Sequence, residues 1–412
     1  MFTRPWSSLL LAASLLPTAA LAEPSTDKNG FFEGAQASVL LRHTYWNRDW
    51  KDGVDDVNTW AQGVIATFSS GFTEGPVGFG VDAFGLLGIR LDGGQNDMFP
   101  NRDKHREDSL GQAGAALKAR LSQTTLKIGQ QMPTLPVLYA DDSRLLPQSF
   151  TGALLTSQEI EGLQLDLGRF TQDSPLGTSA RDAGHLDRIE VVGGRYQVNP
   201  QLSAALYVSW VQDVYRKKYV GLSYALPLAE RQALSFDFNY YRTAYASDTI
   251  ADRYFDNGIL GDDNQLWSLS ARYSHGAHAY ILAYQENSGD VGYAYGLGDG
   301  TGAIWVANSY LADFNNKDEH SVQASYELDF ADYGVPGLSW KTAYVYGYNI
   351  DIGTNKDAQE REIFNQVSYE VQSGPAKDLK LRARNSILRG SNGLVPDGND
   401  WRLFDEYPLE LL

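Results

Sequence analysis

The sequence has 412 residues, no cysteine, and 51 acidic against 34 Lys and Arg side chains, a formal net charge of −17. The acidic balance disfavours nucleic acid as a partner, and the lack of cysteine excludes disulfides and thiolate chemistry. The chain is rich in Tyr, Trp and Gly and has no apolar run of about 18 residues, so it fits either an exported soluble β protein or a transmembrane β-barrel.

Residues 1–22 are predicted to be a secretory signal peptide. Arg4 supplies the positive start, residues 9–16 form a short apolar stretch, and Ala20 and Ala22 mark an A-x-A cleavage site. The apolar stretch is too short for a membrane anchor and Pro17 interrupts it. The remainder, 23–412, is expected to form one domain in the outer membrane.

Alternation of apolar and polar residues recurs along the exported chain. In 77–91 the apolar side chains occupy odd positions, whereas Asp82 and Arg90 fall on the other face. In 115–121 the apolar residues oppose Lys118 and Arg120. These segments have roughly ten residues, the length that a tilted strand needs to cross a bilayer.

The connections between these segments alternate between short and long. Short turns are predicted at 71–77, 122–124, 157–162, 198–201, 226–232, 274–277, 331–337 and 373–378, and longer polar links at 92–111, 132–152, 171–187, 246–264, 286–320 and 349–360. This alternation predicts an all-β fold, a transmembrane antiparallel β-barrel of about 18 strands with a water-filled lumen. The alternative is a soluble β-sandwich, which rarely has so many strands with Lys and Arg on the alternate face.

The last segment, 401–412, is predicted to be the closing strand. Leu403 and Tyr407 would face lipid, but Asp405 falls on the same face. A bulge, a position near the interface or a different register would each explain this carboxylate. The chain ends in Leu412 rather than in an aromatic residue.

A row of cations at alternate positions is the main candidate site. In "LKLRARNSILRG", residues 379–390, strand spacing places Lys380, Arg382 and Arg384 on one face, which is expected to line the pore and attract anions. Arg402 on the next strand should face the same water. Further lumenal candidates from the early strands are Arg42, Arg48, Arg90, Lys118 and Arg120. The alternative is that these cations pair with inward carboxylates at Asp82, Glu327, Glu370 and Glu406.

Two other classes of barrel protein remain as alternatives to a channel. One is an outer-membrane enzyme, but neither G-x-S-x-G nor H-E-x-x-H occurs, and the six His residues are not grouped for catalysis or metal binding. The other is a plugged structural barrel, against which the cationic row argues. No cofactor is expected.

Several segments resemble the OprD family of substrate-specific outer-membrane porins. They are "YWNRDW", "WAQGVIATFSSGFTEGPVGFGVDAFGLLGIRLD", "LPVLYADDSRLLPQSFTGALLTSQEIEGL", "YRKKYVGL", "GVPGL" and "EVQSG" with the cationic strand that follows. The resemblance covers nearly the whole mature chain, and 60–92 and 135–163 are its most specific parts.

The resemblance implies an 18-stranded barrel, a monomer or weak oligomer, that is narrowed by inward-folded loops and passes small carboxylate-bearing solutes. Transport is expected to be passive, because the sequence has no nucleotide-binding loop. Lys380, Arg382, Arg384, Arg402 and Arg48 match the family's ladder of cations. Loop 132–152 matches the constriction loop and contains Arg144, and Tyr310 and Asp313 belong to a second constricting loop. Outer-membrane lipid and the barrel-assembly machinery are the implied partners. Basic amino acids and anionic aromatics both remain open as the preferred solute.

Overall fold

The computed structural model describes residues 30–51, 53–93, 98–99, 101–102, 105–246, 261–394 and 396–412. The predicted signal peptide, residues 1–22, lies outside the described residues. Within the described part of the chain no helix is long and apolar enough to span a membrane.

Eighteen long strands form one sheet in the described residues. They are β1 (Gln36–Trp50), β2 (Val57–Ser69), β3 (Val77–Asp92), β4 (Ser109–Leu121), β5 (Thr124–Gln131), β6 (Ser149–Ile160), β7 (Leu163–Ser174), β8 (Ile189–Asn199), β9 (Leu202–Val211), β10 (Tyr215–Ala229), β11 (Gln232–Tyr245), β12 (Asp263–His275), β13 (His278–Gly289), β14 (His320–Asp329), β15 (Leu338–Ile350), β16 (Ala358–Glu370), β17 (Lys380–Gly390) and β18 (Gly398–Glu410).

The sheet closes on itself and forms a barrel. Each strand pairs antiparallel with the next, and β18 pairs with β1 from Ser38–Glu410 to Trp50–Gly398. Closure satisfies the backbone groups that an edge strand would expose, which is the condition for a sheet in lipid. The predicted fold and strand number are therefore confirmed.

The two ends of the barrel differ in the length of their connections. All eight predicted short turns lie at the end of the barrel where β1 begins and β18 ends. The other end carries most of the long loops, including 132–148 and 290–319. Three loop-side connections were not predicted: those between β1 and β2, between β9 and β10, and between β17 and β18. The second of these, 212–214, has only three residues. Asp213 adopts a positive φ of 56° there, and the Val214 N–H donates to the Val211 carbonyl.

The two faces of each strand follow the predicted alternation. Phe79, Leu117 and Leu121 are exposed on the outer wall, whereas Lys118 is only 8% exposed on the inner one. Apolar side chains that would be unfavourable in water thus face the bilayer. Polar side chains face the lumen.

Two long loops fold into the lumen and pack against its wall. Leu138 in loop 132–148 and Tyr293 in loop 290–319 join one buried apolar cluster with inward residues of β8–β12. Leu145 joins a second cluster with inward residues of β1–β4. Glycine makes room for it, because a Cβ at Gly88 would lie 3.0 Å from the Leu145 Cδ2. The inward-folded loops of the prediction are present.

Asp405 does face the outer wall. It lies beside Leu381 of β17 and His43 of β1, and neither pairing contains a register shift, so a bulge and a different register are both excluded. The next outward residues on β18, Leu403 and Tyr407, lie on either side of it. The carboxylate is therefore accommodated next to His43.

The register of β17 can be tested with single cysteines, because the chain has no native thiol. Leu381 is exposed on the outer wall, while Arg382 lines the lumenal cavity. A charged, water-soluble thiol reagent is expected to modify Arg382→Cys and to spare Leu381→Cys in proteoliposomes, since a thiolate forms in water and not in lipid. Leu403→Cys is the matched outer-wall control, and equal labelling at all three positions would contradict the register.

Candidate functional site

A cavity of about 960 Å³ occupies the lumen between the inward loops and the turn end of the barrel. Arg382 and Arg384 line it from β17. Asp142 lines it from loop 132–148, and Ser309 and Tyr310 line it from loop 290–319. This part of the lumen thus lies between a strand that carries cations and two inward loops.

The closing strands bring the predicted cations together. In the β17–β18 register Arg384 lies opposite Arg402, and Arg382 lies opposite Phe404. In the β18–β1 register Arg402 lies opposite Trp46, two residues before Arg48. We call Arg382, Arg384, Arg402 and Arg48 the arginine wall.

Three members of the arginine wall are held through Nε. The Nε of Arg384 donates to Gln366 Oε1 at 2.7 Å, and the Nε groups of Arg402 and Arg48 both donate to Asp400 at 2.7 Å. Within the described part of the chain their terminal Nη groups make no hydrogen bond. Each guanidinium therefore keeps its two terminal nitrogens, the pair that binds a carboxylate in the end-on fork geometry.

Trp46 organises the end of the arginine wall that lies nearer to loop 132–148. Its indole N–H donates to Asp400 Oδ2 at 2.6 Å. The guanidinium carbons of Arg402, Arg48 and Arg144 lie 4.1, 4.8 and 5.2 Å from the centre of its ring. Stacking on an aromatic face fixes the plane of each guanidinium. Arg144, predicted in the constriction, is thus joined to the arginine wall.

Arg42 has a different environment from the arginine wall. It is 4% exposed and binds both carboxylate oxygens of Asp142, at 2.6 and 3.0 Å, and Glu406 at 2.7 Å. It also donates to the carbonyl of Arg144. Because its donors are engaged in this way, Arg42 holds loop 132–148 against β1. This role differs from the predicted one, which was to guide solutes.

Of the remaining predicted cations, Lys118 pairs with Asp82 at 2.8 Å, and Lys380 continues the row on β17 two residues before Arg382. Arg90 is near the loop end of β3 and pairs with Asp108, and Arg120 is near the turn end of β4, 4.4 Å over the Phe72 ring. Lys380 is at the turn end of β17, with Glu370 3.8 Å away. Arg90, Arg120 and Lys380 thus lie near the two ends of the lumen. The alternative raised by the sequence, that lumenal cations pair with carboxylates, applies to Arg90 and Lys380.

Tyr310 comes close to the arginine wall. Its ring stacks on Phe364 at 4.4 Å, and the Arg384 guanidinium lies 5.7 Å from the centre of the same Phe364 ring. The Tyr310 hydroxyl is buried and has no hydrogen-bond partner. A buried unpaired hydroxyl is costly, so this group is suited to a hydrogen bond with a bound solute.

Asp313 is engaged within its own loop. Its carboxylate accepts hydrogen bonds from Ser309 Oγ, at 2.6 Å, and from the Tyr295 hydroxyl. Burial raises the pKa of this carboxyl. A carboxylate that is hydrogen-bonded and buried in this way shapes the loop, and Asp313 does not line the cavity as Ser309 does.

Sequence reasoning missed the residues that hold the site in place. Glu362 on β16 accepts hydrogen bonds from the backbone N–H groups of Leu311 and Ala312, at 3.1 and 3.0 Å, and anchors the second loop. Asp400 and Trp46 orient three arginines. Alternation places all three side chains on inner faces, but nothing local in the sequence identifies their partners.

Removing the Arg42 clamp is expected to release loop 132–148. Arg42→Met leaves Glu406 and the half-exposed Asp142 without their shared cation and should cost about 1–3 kcal/mol of stability, less than a fully buried pair that loses one partner. The single-channel conductance should rise and become noisier, measured in planar bilayers. Lys380→Met is the control because its half-exposed pair with Glu370 contributes little. Unchanged conductance in Arg42→Met would show that the loop does not need the clamp.

A closed 18-stranded barrel with a charged, loop-narrowed lumen defines an outer-membrane channel. The family model for "outer membrane porin, OprD family" matches residues 29–411, and the chain belongs to this family. Its place is therefore the cell outer membrane, and its relatives are porins rather than enzymes.

Individual relatives agree with this assignment. Porin D of Pseudomonas aeruginosa is 39% identical over 99% of both chains. The crystal structure of Acinetobacter baumannii OccAB1 is 39% identical, covers 95% of this chain and 100% of its own, and gives a TM-score of 0.89. Pseudomonas aeruginosa OpdK, whose crystal structure was determined with vanillate, is 32% identical, covers 93% of this chain and 100% of its own, and gives a TM-score of 0.84.

Proposed function

We propose that the channel conducts small carboxylate-bearing solutes and that the arginine wall guides their carboxylates. The observation that carries this proposal is the state of Arg384, which lines the cavity, is held through Nε by a neutral amide, and has no carboxylate within ion-pair distance among the described residues. Arg382 beside it has only Glu406, at 3.9 Å. A cation left without a close partner in a narrow lumen attracts anions.

The spacing of the arginine wall suits transfer from one site to the next. Arg382 and Arg384 are two residues apart on one strand, about 6.5 Å along it. A carboxylate can contact the second guanidinium as it leaves the first, so no single site has to bind it tightly. Several weak sites in series allow a solute to enter without being trapped.

The loop residues that line the cavity beside the arginine wall determine what else a solute can carry. Asp142, half exposed, and Tyr310 face the same space as Arg384. A solute with a carboxylate at one end can therefore place either a cationic group or an aromatic ring at the other. Vanillate in the OpdK structure is an aromatic carboxylate, which supports the second possibility by analogy.

Liposome swelling tests the proposal on the unmodified protein. The panel consists of a basic amino acid, an aromatic acid, a sugar acid and the neutral sugar of the same size. We expect the carboxylate-bearing members to enter faster than the neutral sugar, and the first two members to separate the two solute classes left open by sequence. A neutral sugar that enters as fast as its acid would contradict the proposal.

We further infer that transport is passive and that the chain needs the barrel-assembly machinery to reach the membrane.

Passive transport is supported by the lining of the cavity, which consists of strand residues and inward-loop residues that can bind a solute by simple contact. Its test is accumulation, because proteoliposomes should equilibrate a solute and never concentrate it. Assembly is supported by the β18–β1 pairing, since the last strand must find the first to close the sheet.

A further inference from the structure

A group of cations lies on the outer wall, where a membrane protein otherwise presents apolar side chains to lipid. We call this group the rim cations, and it consists of Arg169, Arg188, Arg216, Lys218 and Arg242. All five lie near the loop ends of strands β7, β8, β10 and β11. Their side chains point away from the lumen, as alternation with the buried inward Lys217 shows for Arg216 and Lys218.

The strand registers place the rim cations side by side. Arg169 lies opposite Glu190, which lies opposite Trp210, which lies opposite Arg216. One step further from the rim, Lys218 lies directly opposite Arg242. Like charges directly opposite each other across two strands repel, so a further anion near Lys218 and Arg242 would be favourable.

Among the described residues, few carboxylates lie within ion-pair distance of the rim cations. Glu190 lies between Arg169 and Arg188, 3.9 and 3.5 Å from them. Arg242 has Asp263 at 3.4 Å. Arg216 and Lys218 form no ion pair in the described part of the chain. The five rim cations thus share two carboxylate partners, Glu190 and Asp263, among the described residues, on a chain of net charge −17.

The neighbouring residues fix the depth of the rim cations in the membrane. Trp210 lies in the same row as Arg216, and large aromatic rings of this kind mark the interface in membrane barrels. Leu167, Leu206 and Leu222 lie further from the rim on the same outer face, and all three are exposed. The rim cations are thus at the level of the lipid headgroups, and the loop end of a barrel lies in the outer leaflet.

We propose that the rim cations bind the phosphate groups of phosphorylated glycolipid headgroups in the outer leaflet. A phosphate between Lys218 and Arg242 would relieve their mutual repulsion, and the guanidinium fork of Arg216 or Arg242 matches phosphate geometry. Basic clusters at a membrane surface recognise anionic headgroups. Lys and Arg near strand ends also extend towards water without any ligand, which is the alternative to be tested.

The test uses the whole purified protein in detergent, titrated with bisphosphorylated lipid A, and native mass spectrometry as the readout. The variant is Arg216→Gln/Lys218→Gln/Arg242→Gln. The control is Arg231→Gln/Lys356→Gln/Lys377→Gln, which removes the same number of charges. Arg231 and Lys377 lie in turns between strands, and Lys356 lies in an exposed loop. We expect the unmodified protein and the control to bind equally and the variant to bind roughly a hundredfold more weakly.

Two further measurements are decisive. Lipid A without its phosphates should bind the unmodified protein as weakly as the bisphosphorylated form binds the variant. Inorganic phosphate at the same concentration should not displace the lipid, because a headgroup site also needs the acyl chains beside Leu206. Equal loss in the variant and the control, phosphate-independent binding, or displacement by inorganic phosphate would each overturn the proposal, as would a dimer that depends on the rim cations.

Discussion

Replacing Arg382 and Arg384 together by Gln is expected to slow carboxylate-bearing solutes by roughly tenfold or more while leaving neutral sugars of equal size unchanged. A hydrogen bond to a charged group contributes about 1.5–3 kcal/mol, and about 1.4 kcal/mol corresponds to a factor of ten. Both side chains line the cavity, and neither has a carboxylate closer than 3.9 Å in the described residues. The measurement is liposome swelling with matched acid and sugar.

The control for this pair is the substitution of lumenal cations that lie outside the arginine wall. Arg120→Gln removes a cation that packs on Phe72 near the turn end, so it should leave the ratio of acid to sugar rates almost unchanged. High salt should reduce the difference between the unmodified protein and the double variant, because it screens the guanidinium charges. Equal slowing of acid and sugar in the double variant would mean that the two arginines only pack the barrel wall.

Breaking the buried ion pair between Lys217 and Asp299 is expected to have the largest effect on stability. The pair spans 2.6 Å, and both side chains are fully buried. Lys217→Met would leave the Asp299 carboxylate buried without its cation, which typically costs about 3–5 kcal/mol. The readout is thermal unfolding of the purified barrel.

The same substitution should disturb conduction, because Asp299 connects the two inward loops. Its backbone carbonyl accepts a hydrogen bond from the Tyr139 N–H at 2.9 Å, and Tyr139 lines the cavity. Single-channel currents of Lys217→Met should therefore become noisier. Lys217→Met/Asp299→Asn removes both charges and should regain most of the lost stability. A double variant as unstable as the single one would show that the pair is not the cause.

The barrel could be predicted from the sequence because its determinants are local. Alternation along 77–91 and 115–121 fixes which side chains face lipid, and turn residues fix where strands end. The turn at 274–277, for example, contains Gly276 with a φ of 57°, a conformation that other residues rarely adopt. Strand number and closure then follow from the count of segments. The three-residue link at 212–214 was missed because its sequence carries no glycine or proline.

The candidate site could be predicted only in part, because alternation shows which face a side chain occupies but not what covers it. Lys217 and Arg384 are both inward cations, yet loop 290–319 buries the first and leaves the second at the cavity. Arg42 was expected to line the solute path together with Arg48. Its guanidinium is instead bound by the carboxylate of Asp142, which lies a hundred residues later in the sequence. These contacts depend on how the loops fold inside the barrel, and no short-range pattern encodes them.

A crystal structure of the protein with a brominated aromatic carboxylate tests most directly whether the arginine wall receives the solute. The anomalous signal of bromine locates the ring, and the density shows the carboxylate. We expect the carboxylate oxygens within hydrogen-bond distance of the Nη groups of Arg384 or Arg382, with the ring towards Tyr310. A carboxylate bound instead at Arg272 and Lys341, which line the cavity from β12 and β15, with Arg382 and Arg384 unchanged, would contradict the proposed guiding path.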